Sequence, residues 1–391
     1  MNVPIPLLTN YPYLCYFNLV HKTTYQYRIY PTKKQSAIMD KILNECRWLY
    51  NHFLGERKNA WEQEQEPLSM YDQIKTLSSL KKERTSLGMV HSQVLQNVAV
   101  RIDLAFKAFF RRVKAGEKPG YPRFRGAGRY DSFTYPQSGY DVGKDMITLS
   151  KIGNIKAIIH RTLDSIPKTC CVRRTPTGKW FISFACESED KPLPESKESI
   201  GIDVGLECFA TLSTGETIAN PRFFRTDEKA LAKSQRKMSK FEKATSQRHK
   251  ACKVVSHIHE RIANRRSNFA HQASRQIVNQ YGVIAIEDLS INRMLHNHCL
   301  AKSISDVAWG QFIADIAYKA ENAGRKYVAV NPSYTSQDCS RCGHRQKIPL
   351  SGRIFNCPCC NLSINRDHNA SLNILSIGLD ALGLVPRSLC L

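Results

Sequence analysis

Apolar and polar positions alternate from Lys22 to Tyr30 (KTTYQYRIY), which predicts a strand closed by Pro31. Thr32 then stands where a helix cap is expected, and Ile38, Ile42, Leu49 and Phe53 recur at helical spacing behind it. A second helical pattern runs from about His91 to Lys114, through Val94, Leu95, Val98, Ile102, Ala105, Phe106 and Phe109. Residues 116–128 are rich in Gly, Pro and Arg and predict a loop. From about Ser132 to Cys186 the period returns to that of strands, with the clearest hairpin at CVRRTPTGKWFISFAC, residues 171–186. The polar, proline-bearing stretch SEDKPLPESKES, residues 188–199, predicts a linker.

Beyond it the apolar runs carry acids. Ile200-Gly-Ile-Asp-Val-Gly205 is a short apolar strand holding Asp203, followed by a second strand, CFATLST, and a turn at Gly215. Val283-Ile-Ala-Ile-Glu-Asp-Leu289 is an apolar strand ending in Glu287, preceded by the helical stretch RRSNFAHQASRQIVNQYG. Asp367 introduces NASLNI, which reads as the start of a helix. Taken alone, Asp203 is as consistent with a strand-end cap as with a functional acid. No internal repeat or low-complexity tract is present.

Composition narrows the partner. Lys plus Arg total 57 against 34 Asp plus Glu, a formal charge of +23. That excess points to a polyanion, most often nucleic acid. No run of 18 apolar residues exists, so no membrane-spanning helix is expected. Residues 1–20 are apolar, contain Pro4, Pro6 and Pro12 and carry no Lys or Arg, so they do not read as a signal peptide. They are expected to be a disordered leader or the product of a start codon placed too far upstream.

Four of the 14 cysteines are spaced for a metal. Cys339-Ser-Arg-Cys342 and Cys357-Pro-Cys359-Cys360 supply two knuckles joined by a short basic loop. Each knuckle aims two thiolates at one ion, so Cys339, Cys342, Cys357 and Cys360 complete a tetrahedral zinc site, with Cys359 left over. Gly343 stands where a knuckle turn requires it. Zinc-spaced cysteines without a secretory signal favour a reducing compartment, hence the cytoplasm, or the nucleoid if the host is bacterial.

Asp203, Glu287 and Asp367 come from separate segments in the order strand, strand, helix. Three such carboxylates can hold two divalent ions across a scissile phosphodiester. Hard oxygen ligands select Mg²⁺ (or Mn²⁺) while the thiolates take zinc. The order is that of an RNase H-like α/β nuclease core.

Several ordered motifs then resemble one family. GIDVGLECFATLSTGETIANPRFFR, VIAIEDLSINRML, NPSYTSQDCSRCG and NCPCCNLSINRDHNASLNIL are similar to motifs of the transposon-encoded OrfB/TnpB proteins, relatives of type V CRISPR effectors. YRIYPTKKQ, HSQVLQNVAVRIDLAFKAFFRRVKAG and GYPRFRG extend the match into the N-terminal half, so it covers roughly residues 22–380. The resemblance implies a RuvC-like domain with catalytic acids at Asp203, Glu287 and Asp367. It also implies an inserted zinc ribbon and an N-terminal, β-barrel-like nucleic-acid-binding lobe with a helical insertion at about 32–128. The implied organisation begins with a leader (1–20), that lobe (21–190) and a linker (191–198). A first RuvC-like segment (199–330), the ribbon (331–364), a second RuvC-like segment (365–380) and a tail (381–391) follow. The implied activity is RNA-guided cleavage of double-stranded DNA beside a short flanking motif, with a guide RNA from the transposon end and no membrane partner. The chain departs from the family at Asn361, where Gly is common and a positive φ is required, and at Asn365, where Asp is common.

Residues 229–253 read as one basic helical stretch bearing Lys233, Arg236, Lys237, Lys240, Lys243, Arg248 and Lys250, a candidate surface for tracking phosphates. Arg261, Arg265 and Arg266 extend the charge. Arg366 stands either beside the scissile phosphate or in an ion pair with a neighbouring acid, and His271 reads as a packing or phosphate contact. Tyr25, Tyr27, Tyr30, Tyr121 and Phe124 mix with basic residues as base-stacking candidates, about half of them core. Asp338 reads as a turn residue. Two rival functions remain: a transposase that joins strands with the same acids, and a non-cleaving RNA-guided DNA-binding regulator.

Overall fold

The computed structural model describes residues 21–189, 191–349 and 352–384. The chain divides into two compact units, Met1–Glu189 and Asp190–Leu391. The expected leader, residues 1–20, lies outside the described residues.

The first unit holds strands β1 (His21–Tyr30), β2 (Ser132–Tyr135), β3 (Tyr140–Val142), β4 (Met146–Leu149), β5 (Gly153–Ile158), β6 (Thr169–Arg174) and β7 (Trp180–Ser188). Helices α1 (Lys33–Glu64), α2 (Met70–Lys75), α3 (Leu77–Glu83) and α4 (Ser92–Lys114) are inserted between β1 and β2. The strands pair antiparallel in the order β2-β6-β7-β1-β5-β4-β3, a near-barrel whose two edge strands are consecutive in sequence. β1 is long enough to serve both sides: it pairs with β7 from His21↔Ser188 to Ile29↔Trp180, and its last residues also pair with β5. Its alternation buries Tyr25, Tyr27 and Ile29 in a core shared with the helices through Phe53, Leu95 and Ile102. Thr32 and Gln35 form the capping box that starts α1, with Thr32 Oγ1 accepting from Gln35 N and Gln35 Oε1 accepting from Thr32 N.

The second unit carries β8 (Ser199–Val204), β9 (Cys208–Leu212), β10 (Thr217–Ala219), α5 (Phe223–Ser239), α6 (Ser246–Gln280), β11 (Val283–Glu287), α7 (Ile291–Met294), α8 (Ala301–Val307), α9 (Trp309–Asn322), β12 (Lys326–Val330), β13 (Ile354–Asn356), β14 (Ser363–Asn365) and α10 (Arg366–Ala381). Its sheet runs β10-β9-β8-β11-β12, with β8, β11 and β12 parallel and β9 and β10 antiparallel beside them. That is the RNase H-like, RuvC arrangement. β13 and β14 form the hairpin of the ribbon, inserted between β12 and α10.

Two glycines let α10 lie against the sheet. A Cβ on Gly201 would stand 2.1 Å from Ser371 O, and one on Gly378 would stand 2.4 Å from Ala285 Cβ. The first follows β8 into the site and the second holds the far end of the same helix.

The structure corrects one expectation here. Residues 229–253 are not one helix: α5 ends at Ser239 and α6 starts at Ser246, with Ala244 at φ 69° and Thr245 capping α6. The Thr245 side chain accepts from Arg248 N, a cap signal that the run of basic residues hides in the sequence. The linker 191–198 has no regular element, yet it is pinned along the second unit. Leu193 N donates to Ala323 O, Arg325 Nη1 to Pro194 O, and Ser196 Oγ to Gln280 O.

Candidate nuclease cleft and metal centre

β8 and β11 are adjacent and parallel, so Asp203 and Glu287 lie near the same end of the sheet. α10 crosses both strands and starts at Arg366, which brings Asp367 to that end as well. Asn365 caps the helix by accepting from Asp367 N and His368 N. The three acids line one cleft of about 400 Å³ with Val204, Gly205, Trp309, Thr335 and Arg353.

The electrostatics of the cleft record its crowding. Burial, then the negative charges of Glu287 and Asp367, push the Asp203 carboxyl up to about 8, with Arg366 opposing. Burial also raises Glu287, while a hydrogen bond donated by Thr335 Oγ1 at 2.6 Å holds it down. Arg353 Nη1 lies 3.6 Å and Arg366 Nη2 3.5 Å from Asp367. Arg353 also pairs with Glu207. This donor set suits divalent cations: three hard oxygen ligands whose mutual repulsion a cation relieves.

The ribbon is tighter. The Sγ atoms of Cys339, Cys342, Cys357 and Cys360 all lie within 4.8 Å of one another, and among the described residues they are the one such group of metal-ligating side chains. Four thiolates at that spacing fit zinc. Cys359 is exposed and outside the cluster. Gly343 at φ 73° and Asn361 at φ 57° take the left-handed turn after each knuckle, so Asn361 serves in place of Gly. Asp338, expected in a turn, instead forms an isolated antiparallel bridge with Arg345, whose Nε donates to its carboxylate at 2.6 Å.

The basic candidates separate. Lys233, Arg236 and Lys237 are exposed on α5, Lys240 and Lys243 are exposed in the turn, and Lys250 is exposed on α6. Arg248 is half-buried and donates to Met238 O and Phe241 O, closing the turn from inside. Arg261 and Arg265 pair with buried Asp227, and Arg266 with buried Asp306. Arg266 is half-buried and ties α6 to α8, whereas Arg261 and Arg265 link α6 to α5 and stay exposed. His271 pairs with Asp315 between α6 and α9. Of the aromatic candidates Tyr25 and Tyr27 are core, whereas Tyr30, Tyr121 and Phe124 are exposed.

Arg353, Thr335 and Glu207 carry no signal of their role in the sequence. Arg353 falls in the stretch between the knuckles, where composition gives no sign of a partner. Thr335 lies in the motif NPSYTSQDCSRCG, but only its hydroxyl contact with Glu287 shows its position.

Comparison with known proteins gives three matching family models. "Probable transposase" covers residues 183–298, "Cas12f1-like, TNB domain" covers 309–374, and "Helix-turn-helix domain" covers 21–66. In this structure the last span forms β1 and the single helix α1. A "Putative RNA-guided DNA endonuclease" of Streptomyces pristinaespiralis is 34% identical, over 92% of this chain and 90% of the relative. The "Putative RNA-guided DNA endonuclease InsQ" of Escherichia coli (strain K12) is 29% identical, over 90% of this chain and 92% of that protein. Among solved structures, a Cas12f1–sgRNA–target DNA complex matches with a TM-score of 0.53 at 15% identity, covering 88% of this chain and 83% of that one, a likeness of fold. With a full-length relative at this identity and both halves of the nuclease unit matched by family models, the chain belongs to the transposon-encoded OrfB/TnpB family.

Proposed function

We propose that the protein is an RNA-guided DNA endonuclease that hydrolyses target DNA beside a short flanking motif. The carrying observation is the convergence of Asp203, Glu287 and Asp367 on one cleft, where burial and then the charges of Glu287 and Asp367 raise the Asp203 carboxyl. The full-length relatives bear the name of RNA-guided DNA endonucleases, which supports the same reading.

Asp203, Glu287 and Asp367 would hold the divalent ions. Bound Mg²⁺ or Mn²⁺ would polarise the phosphate and lower the pKa of a water molecule. The chain's own role is positioning. Arg353 and Arg366 offset the carboxylate charge beside Asp367, so an anionic strand can approach. Thr335 orients Glu287. Guide pairing supplies the sequence, and the protein reads duplex shape and the flanking motif.

The test starts with sequencing the RNA that co-purifies, then supplying a matching DNA target. Asp203→Ala, Glu287→Ala and Asp367→Ala should each abolish cleavage while RNA remains bound. Loss of several orders of magnitude in rate corresponds to more than about 4 kcal/mol of barrier. Near wild-type cleavage in any one variant removes that residue from the site. Strand joining of transposon-end DNA by the wild type would return the transposase reading instead.

A further inference from the structure

Glu287 ends β11 buried in the protein, where a carboxylate needs hydrogen-bond donors. Its Oε1 accepts from Thr335 Oγ1 at 2.6 Å. Thr335 is not part of the sheet. It sits in the turn leading to the first cysteine knuckle, itself only 4% exposed. Its hydroxyl proton has a second acceptor, Pro332 O at 3.2 Å, but the shorter, charge-assisted bond to the carboxylate is the stronger.

What fixes Thr335 comes from α10. Asn373 Nδ2 donates to Thr335 O at 2.8 Å and to Asp338 O at 2.7 Å. One turn earlier, fully buried Asn369 donates to the same Asp338 O at 2.7 Å, and its Oδ1 accepts from Ser340 N at 2.9 Å. All the partners are backbone groups, which settles which end of each amide is which. Asp338 and Ser340 flank the zinc-spaced Cys339. Residues 369 and 373 share a helix face that begins two residues past Asp367. One face of α10 therefore grips the knuckle, the knuckle's approach turn carries Thr335, and Thr335 holds Glu287.

We propose that Thr335 is the positioning residue for Glu287, and that Asn369 and Asn373 tie it to the four-cysteine ribbon, so that the ribbon sets the cleft's affinity for divalent cations. The proposal rests on the nuclease reading of the cleft. Its physical content is that a carboxylate held in one rotamer binds a cation without first losing that freedom, and that donor groups behind a ligand orient it.

The experiment uses the full-length, zinc-loaded protein without DNA, titrated with Mn²⁺ while free Mn²⁺ is read by electron paramagnetic resonance. Asp203→Asn identifies the cleft ions as those it removes. Thr335→Val keeps the shape and deletes the hydroxyl. It should retain zinc and remain folded but bind cleft Mn²⁺ roughly 10-fold more weakly or worse, while Thr335→Ser should stay close to wild type. Asn373→Leu should weaken Mn²⁺ in the same direction with zinc retained. The Mg²⁺ dependence of cleavage by Thr335→Val should move to higher concentration and recover at saturation. Wild-type Mn²⁺ affinity in Thr335→Val overturns the positioning role, and wild-type affinity in Asn373→Leu overturns the tie to the ribbon. If Thr335→Val does not fold, Thr335→Ser decides, because a loss of about 10-fold with the hydroxyl present is incompatible with the proposal. A wild-type protein with no Mn²⁺ removed by Asp203→Asn brings down the nuclease reading itself.

Discussion

At the scale of single residues, Asp203 carries a conflict between stability and function. Its folded-state pKa of about 8 lies far above the ordinary value of 3.8. A carboxyl whose pKa is raised by folding stabilises the protein while it keeps its proton. That contribution is complete below the unfolded pKa and is lost as pH rises through the folded one. In Mg²⁺-free buffer, Asp203→Asn should therefore melt above wild type, with a margin that widens from pH 5.5 to pH 8.5. Saturating Mg²⁺ should narrow or reverse the margin at pH 8.5, because only the wild type gains a full set of ligands. Differential scanning fluorimetry across that pH series measures it. A margin independent of pH would mean that Asp203 ionises freely in the cleft. The acids themselves were legible as residues, since Asp203 interrupts one apolar run, Glu287 ends another and Asp367 opens a helix. Their mutual repulsion was not, because it depends on distances that β8, β11 and α10 create only when packed.

At the scale of elements, α10 and the ribbon decide whether the acids meet. Gly201→Ala would place a methyl 2.1 Å from Ser371 O and 2.7 Å from Leu375 N, both backbone atoms of α10. Backbone cannot swing aside as a flexible side chain does, so the helix must shift. Overpacking of this kind costs about 1–3 kcal/mol, sometimes more. The variant should melt lower and lose cleavage even where it remains folded, because Asp367 moves with the helix. Melting and cleavage close to wild type would show that α10 can move away without consequence. In the ribbon, Cys359→Ser should keep its zinc and Cys360→Ser should lose it, by metal analysis of the purified proteins. The reverse pattern would reassign the second knuckle. The Cys-x-x-Cys spacing announced this element in the sequence. The break between α5 and α6 was hidden, because the turn at 240–245 is as basic as the helices around it.

At the scale of the whole molecule, the charge of +23 is the dominant property. None of the helices among the described residues is long and apolar enough to cross a membrane, so the charge is not the flank of such a span. RNA affinity should fall steeply with salt: with about six phosphates contacted at roughly −0.7 each, the log–log slope is near −4. Replacing Lys233, Arg236, Lys237 and Lys240 together with Gln should flatten that slope by a few units, since all four are exposed on α5 and its end. The preference for a flanking motif should survive, because phosphate contacts position while base contacts specify. An unchanged slope, measured by filter binding across a salt series, would make this helix face merely solvated.

The sequence alone determined what short-range pattern can encode. Period-two alternation marked β1 and β7, the cap at Thr32 marked α1, and the acid-bearing apolar runs and cysteine spacing marked the nuclease unit and its ribbon. These signals are local, because hydrophobic period and ligand spacing are properties of neighbours along the chain. Tertiary structure decided what depends on approach through space. It assigned Arg248 and Arg266 to internal bonds rather than to an outward surface, and docked the stretch 191–198 on the second unit. It also brought Arg353 to Asp367 and Thr335 to Glu287. A guanidinium or a hydroxyl has the same composition whether it meets solvent, a carbonyl or a carboxylate. Only the packing of distant segments selects among those partners.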